Sequence, residues 1–423
     1  MFTKIRVFYN NNKMWIYLGK YILISFLLAL GAILTDIKFI PLLDYIPEIL
    51  LTSVDLAKLI LGTLTGSLLT ITTFTFSTIM VVLTMYSSNF SPRVVNNFLT
   101  DKITMKVLGI FIGGFCYCIL TLFFMRKLYS EYLVISATIA VIYSILCIIY
   151  FVIFVYYVAS SIQATKLISN LYDESYKIIE RTLKNRENNL SLDDCEIGVF
   201  RSELEIISDK NGYLEFIEFQ EILNILKDIE AKLVLEVDIG DFISKNQIIA
   251  VLYYNEELKD EDLANKLLKN FTIEEERIAY NDYRFSLQKI IDITLRAMSP
   301  GINDPNTSIH CIHILGVLLS KLSEIRGKHT IIKDKNSRSI IIYQDFHFRE
   351  DLYFTFYQVI HYGKEDISIV LAIFNALKTI KRSSSSEKIN GIREFADYVY
   401  QNSISNFTHK FDIEMLNKAK ESI

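Results

Sequence analysis

Hydrophobic and polar positions divide the chain near residue 160. Before it, four long apolar runs are separated by short polar links. After it, charges recur every few residues, and strand-like alternation and helical periodicity both appear. The apolar runs predict membrane spans at about 14–35, 59–88, 105–125 and 132–160. The second is the longest, with no charged residue between Lys58 and Arg93. At about 1.5 Å per residue, a helix there would exceed the roughly 30 Å hydrocarbon core of a bilayer.

The second run is also the one richest in hydroxyls. At about 100° per residue, Gly62, Thr63, Gly66, Ser67, Thr70, Thr73, Ser77 and Thr78 share half of the helical wheel, and Leu61, Leu64, Leu68, Ile79 and Val82 take the other half. The apolar half is expected to face lipid. Two readings compete for the small, hydroxyl-rich half. In the first it packs against helices, as the Gly62-x-x-x-Gly66 spacing allows, with its hydroxyls bonded to carbonyls one turn back. In the second it lines a polar conduit. In the third run, Gly109, Gly113 and Gly114 stand at close-packing positions, while the third and fourth runs as a whole are apolar enough to form a lipid-facing wall.

Residues 163–194 read as a charged helix and loop. A β-rich module is expected over 195–255, with strands at Val199–Ile207, Gly212–Ile217, Leu233–Val237 and Ile248–Tyr253 and a helix at Phe219–Ile229. From 256 to 423 the pattern is mostly helical: Glu256–Phe271, Ile273–Met298, a segment through Leu322, Asp351–His361, Glu365–Lys381, Ile389–Asn402 and Ile413–Lys420. A hairpin at His329–Ile332 and Ser339–Tyr343 interrupts it. Ser299-Pro300-Gly301-Ile302-Asn303-Asp304-Pro305 is a helix break. The two prolines remove amide donors, Gly301 allows positive φ, and Asn303 or Asp304 can cap the next helix. It reads either as a rigid corner or as a ligand or ion site. Asp282, Arg284, Asp292 and Arg296 precede it at helical spacings.

Composition sharpens the class. Of 423 residues 51% are hydrophobic, too many for an average soluble chain, and a net charge of −4 gives no basic patch for nucleic acid. The five cysteines form no C-x-x-C pair, so neither a disulfide framework nor a zinc site is expected. His310-x-x-His313 with Cys311 lacks a third ligand nearby. No phosphate loop, nucleophile elbow or catalytic carboxylate pair is present, so no enzyme activity is expected. The first apolar run lacks a small-residue cleavage site and precedes further spans, which reads as a retained helix rather than a signal peptide. Residues 1–13 and 86–106 carry three Lys or Arg each, whereas 36–57 carry only Lys38. The cation bias therefore predicts a multi-pass membrane protein with both termini cytoplasmic; Arg126 and Lys127 dissent.

Four stretches, residues 66–113, 212–252, 283–312 and 351–377, resemble the domain-of-unknown-function 2254 family of bacterial predicted membrane proteins, and His313 departs from that family's pattern. The resemblance implies an architecture rather than an activity. The two β halves around Gly212 and Gly240-Asp241-Phe242 look like a barrel-sandwich hybrid of the lipoyl or biotinyl type. There is no M-K-M motif, and Lys227 sits in Leu-Lys-Asp-Ile, so no cofactor is expected. The resulting expectation is an α-helical membrane protein with four spans over 1–162 and a cytoplasmic α+β domain. It would act as a homo-oligomeric, channel-like or transport protein for ions or small solutes, and the rival is a non-conducting membrane-anchored sensor or scaffold.

Overall fold

The computed structural model describes residues 13–40, 45–94, 101–125, 133–161, 163–187, 189–192, 198–255, 260–333, 339–344 and 346–423. The basic arm before Lys13, the Arg126–Lys127 turn, Cys195 and the tip of the 333–339 hairpin lie outside them. The chain forms two compact units, Met1–Lys166 and Leu167–Ile423.

Four helices build the first unit: α1 (Lys13–Asp36), α2 (Val54–Asn89), α3 (Lys102–Phe124) and α4 (Ser136–Ser161). All four are long and apolar enough to cross a membrane. Helix α3 is the hub, packing against α1, α2 and α4. Its glycines let the neighbours in. A Cβ at Gly109 would lie 2.8 Å from Cβ of Tyr21, one at Gly113 would lie 2.3 Å from Oγ of Ser25, and one at Gly114 would lie 2.7 Å from Cε1 of Tyr143. Such close approach is the usual basis of helix association in lipid, where apolar surface alone gives no preference for protein over hydrocarbon. The expectation that the third run forms lipid-facing wall is therefore corrected in part, since Met105, Val107, Phe111, Tyr117 and Cys118 are all buried, while Ile119, Phe123 and Phe124 stay exposed. Helix α4 does keep an exposed side, with Ile142, Ile145, Ile149 and Val152 outward and Ala137, Ala140, Cys147 and Phe154 inward.

Hydrogen bonds tie the bundle at several levels. The Tyr143 hydroxyl donates to Ile110 O at 2.9 Å and lies 2.8 Å from Ser25 Oγ, and the Tyr117 hydroxyl donates to Ser136 O at 2.9 Å. Two short strands, β1 (Thr52–Ser53) and β2 (Leu133–Val134), pair antiparallel and join the α1–α2 and α3–α4 connections at one end of the bundle. The Asp36 carboxylate accepts the Ile135 amide at that end.

The second unit opens with α5 (Ala164–Glu187), whose first residues belong to the first unit. Its β part contains β3 (Leu190–Leu192), β4 (Ser202–Ile207), β5 (Gly212–Ile217), α6 (Phe219–Leu226), β6 (Ala231–Leu235), β7 (Phe242–Ile243), β8 (Ile248–Tyr254), α7 (Leu263–Leu268) and β9 (Phe271–Glu274). The helices α8 (Tyr283–Ala297) and α9 (Pro305–Leu322), the hairpin β10 (His329–Lys333) and β11 (Ser339–Gln344), and helices α10 (Phe348–Gly363), α11 (Ile367–Ser383), α12 (Ser386–Ser403) and α13 (Lys410–Glu421) complete it.

One sheet runs β3-β10-β11-β6-β8-β4, antiparallel except for the β11–β6 pair, and a second runs β7-β5-β9. Both close over one core in which Leu214 and Ile273 from the small sheet meet Leu233, Leu252 and Ile341 from the large one, with Ile222 and Leu226 of α6 alongside. Two helices expected from the sequence are corrected here. The stretch expected as helix up to Phe271 is helical only over Leu263–Leu268 among its described residues, and Ile273–Glu274 belongs to β9 rather than to the following helix. Phe271 and Ile273 point into the core from alternate positions, which a helix could not do. The hairpin extends the large sheet through a parallel pairing of β11 with β6, so it is part of the β layer rather than an interruption of a helical domain.

Candidate functional site

Three places carry the chemistry. The first is α2. Its hydroxyl half-wheel is exposed: Gly62, Thr63, Gly66, Ser67, Thr70, Thr73 and Ser77 all face out of the unit, and nothing lies within 4 Å of a Cβ at Gly62 or Gly66. The apolar half is buried instead. Leu61 is 0% exposed, and Leu68, Ile79 and Val82 are each 2% exposed. This reverses the expected lipid-facing assignment of those four residues. The hydroxyls mostly bond within their own helix. Thr63 donates to Leu59 O at 2.8 Å, Ser67 to Thr63 O at 3.0 Å, Thr70 to Gly66 O at 3.0 Å and Thr73 to Leu69 O at 3.0 Å. One hydroxyl, Thr75 Oγ1, is buried on the inner side without a hydrogen-bond partner.

The second place is the break between α8 and α9. Asp304 caps α9, its Oδ1 accepting the Thr307 amide at 3.1 Å and its Oδ2 the Thr307 hydroxyl at 2.6 Å, and Pro305 occupies the first turn. These hydrogen bonds hold the Asp304 carboxyl below its ordinary pKa. Positive φ falls on Asn303, at 51°, and not on Gly301, which is corrected in that respect; a Cβ on Gly301 would meet open space. Ser299 O accepts the amides of both Ile302 and Asn303, and the Asp304 amide reaches back to Ala297 O at 2.9 Å. Ser308 Oγ crosses the corner to Thr294 O at 3.0 Å. Pro300 lies within this closed turn. His310 and His313 are exposed on α9 while Cys311 is fully buried, and no group of three potential metal ligands occurs among the described residues.

The third place was not assembled from the sequence. A chain of charges links the β6–β7 turn to the starts of α8 and α10. Arg284 Nε donates to Asp351 Oδ1 at 2.7 Å, and Tyr283 Oη donates to Asp351 Oδ2 at 2.8 Å. The Arg284 guanidinium also lies 3.7 Å from Asp238, which in turn is 3.1 Å from Nε2 of His347. Glu350 stands 3.7 Å from Nδ1 of the same ring. The turn holding Asp238 is closed by its amide donating to Asp241 Oδ2 at 2.8 Å, and burial pushes the Asp241 carboxyl up. Gly240, at φ +97°, seats the turn on Asp282, because a Cβ there would fall 2.1 Å from Asp282 Oδ2. Asp282 itself pairs with Arg277 at 2.7 Å and caps α8 through the Phe285 amide.

An open groove of about 440 Å³ on this unit is lined by Asp209, Lys210, Asp262, Asn265 and Lys269. A larger one, about 630 Å³, runs beside Arg284 along Arg349, Glu350, Tyr353, Phe354 and Tyr357. The sequence signal for the charge chain was partial. Asp282 and Arg284 stand out by spacing, but Asp238 and Asp351 sit in stretches distant along the chain. Those stretches are three of the four that carry the family resemblance, and here they meet at Asp238, Arg284 and Asp351.

Residues 11–379 match the model of the DUF2254 family, described as a predicted membrane protein. Two curated relatives are the uncharacterised proteins Rv1290c of Mycobacterium tuberculosis and Mb1321c of Mycobacterium bovis, each 21% identical over 336 residues. Those residues make up 77% of this chain and 64% of each relative, so the chain spans less than two thirds of the length of the curated relatives it matches. No solved structure shows significant similarity to it.

Proposed function

The chain belongs to the DUF2254 family of predicted membrane proteins, and from that premise we propose that it works as a homo-oligomeric, channel-like conduit for ions or small solutes in the bacterial inner membrane. The carrying observation is the outward position of Gly62, Thr63, Gly66, Ser67, Thr70, Thr73 and Ser77, opposite the buried stripe of the same helix. One four-helix unit encloses little around a helix that shows its polar side outward. Copies related by symmetry bring those faces to a common axis. The face carries no charge, so its selectivity for ions is modest. In this reading both termini are cytoplasmic, as the cation counts indicate, and the second unit assembles or gates the conduit. Its two sheets over one core support the barrel-sandwich likeness, used for docking and not for carrying a lipoyl or biotinyl group. The protein is taken as a transport protein rather than an enzyme, with no nucleic-acid partner and with the bilayer and its own copies as partners.

A second reading is a non-conducting anchored sensor or scaffold. It is favoured by the hydroxyls of α2 that are satisfied on their own carbonyls, since such a face can pack dry. Cysteine at Thr70 and Ser77, in a background lacking the native cysteines, separates the two. The controls are Val152→Cys, on the exposed side of α4, and Leu68→Cys, buried. Water-borne thiol reagents are expected to modify the first two positions and change flux in liposomes, leaving the controls unmodified. Equal inertness at all four positions with no flux gives the lead to the scaffold reading.

A further inference from the structure

The charge chain of the second unit joins two parts of the fold. Asp238 lies on the turn between β6 and β7, whereas His347 precedes α10. Their side chains are 3.1 Å apart, and both are largely withdrawn from solvent, at 24% and 18% exposure. We propose that the Asp238–His347 contact is a proton-operated clasp between the β module and the helical layer, closed when His347 is protonated and loosened when it is neutral. The inference stands on this geometry alone and holds whether or not the protein conducts.

The charges around the imidazole favour that assignment. Asp238 faces it from the β6–β7 turn, and Glu350 and Asp351 belong to the first turn of its own helix. From α8 the facing charge is Arg284, which Asp351 holds at 2.7 Å and Asp238 shares at 3.7 Å. Arg349, in that same first turn of α10, is directed to Glu394, so with His347 neutral Asp238 and Asp351 share Arg284. A proton on the ring brings a second cation and converts the Asp238 contact into a charge-assisted hydrogen bond. The Asp238 hydrogen bond, reinforced by the Asp238 and Glu350 charges, raises the His347 pKa above its ordinary value near 6.5 and outweighs the partial burial of the ring and the Arg284 charge, which oppose the proton. A histidine raised in this way contributes fully below the unfolded value and loses its contribution as pH rises through the folded one. The clasp is therefore closed below the ordinary histidine value and opens as pH rises through the raised one. Asp238 is well placed to transmit the change, because its own amide anchors Asp241 and the neighbouring Gly240 rests on Asp282.

Hydrogen exchange on the full-length protein in detergent reads the clasp directly. Peptides covering 236–243 and 346–352 are followed in steps between pH 6.0 and pH 8.0, with the intrinsic exchange rates divided out. At least threefold greater protection at pH 6.0 is expected in both peptides. His347→Gln abolishes that pH response while leaving protection in α9 and α11 at wild-type level. Glu350→Gln, at a position 71% exposed, keeps the response and moves its midpoint to lower pH. Equal protection at the two pH values in the wild type overturns the proposal. So does a pH response in His347→Gln that matches wild type. If His347→Gln fails to fold, an unmoved midpoint in Glu350→Gln overturns it in the same way.

Discussion

Asn303 is the residue on which the 299–305 corner turns. A left-handed backbone at φ 51° costs alanine about 1 kcal/mol more than glycine, which has no Cβ, or asparagine, whose short polar side chain bonds locally. Asn303→Ala is thus expected to destabilise the second unit by about 1 kcal/mol, and Asn303→Gly to leave it unchanged or better. Gly301→Ala is expected to be neutral or slightly stabilising, because its Cβ meets nothing and its φ is ordinary. Thermal melts of the full-length protein rank the three, and a loss at Gly301→Ala as large as at Asn303→Ala contradicts the assignment. Asp304→Ala removes a helix cap worth about 1 kcal/mol. Since the native carboxyl pKa is lowered by the Thr307 hydrogen bonds, its contribution is complete above the unfolded value near 3.9 and fades as pH falls through the lowered folded value. The gap between wild type and Asp304→Ala should therefore be constant from pH 5 to 7 and narrow below about pH 4. The sequence placed the break and its capping residues, but glycine and asparagine both tolerate positive φ, and only the closed hydrogen bonds around Ser299 decide between them.

Helix α2 shows where periodicity stops informing. The wheel separates its two faces correctly, and the separation is visible in burial. Which face meets protein is another matter, because lipid tails and a helix interface are equally apolar and hydrophobicity cannot rank them. Packing settles it in favour of Leu61, Leu68, Ile79 and Val82. Leu68→Ala is accordingly expected to cost about 2–5 kcal/mol in bundle stability, against little for Leu69→Ala, which is 51% exposed. Unfolding in mixed detergent micelles measures the pair, and equal losses would return the leucines to the lipid side. In the second unit, β4 and β6 were legible from alternation, β5 from a short aromatic run and β8 from a continuous apolar run, all within a few residues at their ends. Strand β9 was not, because its four residues fall between runs with helical spacing and their strand character comes from pairing with β5.

At the scale of the whole molecule, the four spans and the change to a mixed α/β region near residue 165 were readable from composition alone, since the bilayer demands uninterrupted apolar length. The tertiary joins were not. The β1–β2 ribbon links residues about eighty positions apart through strands of two residues each, too short to leave a pattern. The ribbon puts the α1–α2 and α3–α4 connections at the same end of the bundle, and the proposed topology has that end outside. A reporter fused after Asp44 should behave as exported, with one fused after Ile423 behaving as cytoplasmic; the reverse result inverts the topology.

The central place of α3 has a bearing on the order in which the protein is made. Helices α1 and α2 leave the ribosome first, yet they pack chiefly on α3 and scarcely on each other. Strand β1 likewise waits for β2, which follows α3 in the chain. The first two helices therefore enter the bilayer as independent rods with nothing to hold, and the glycines at 109, 113 and 114 arrive later as the sockets for them. Until then the small, hydroxyl-bearing side of α2 and its leucine stripe are equally free to find another chain. Synthesis of α3 is the event that commits the stripe to its own bundle, and on the conduit reading proposed above the other side is what remains for assembly.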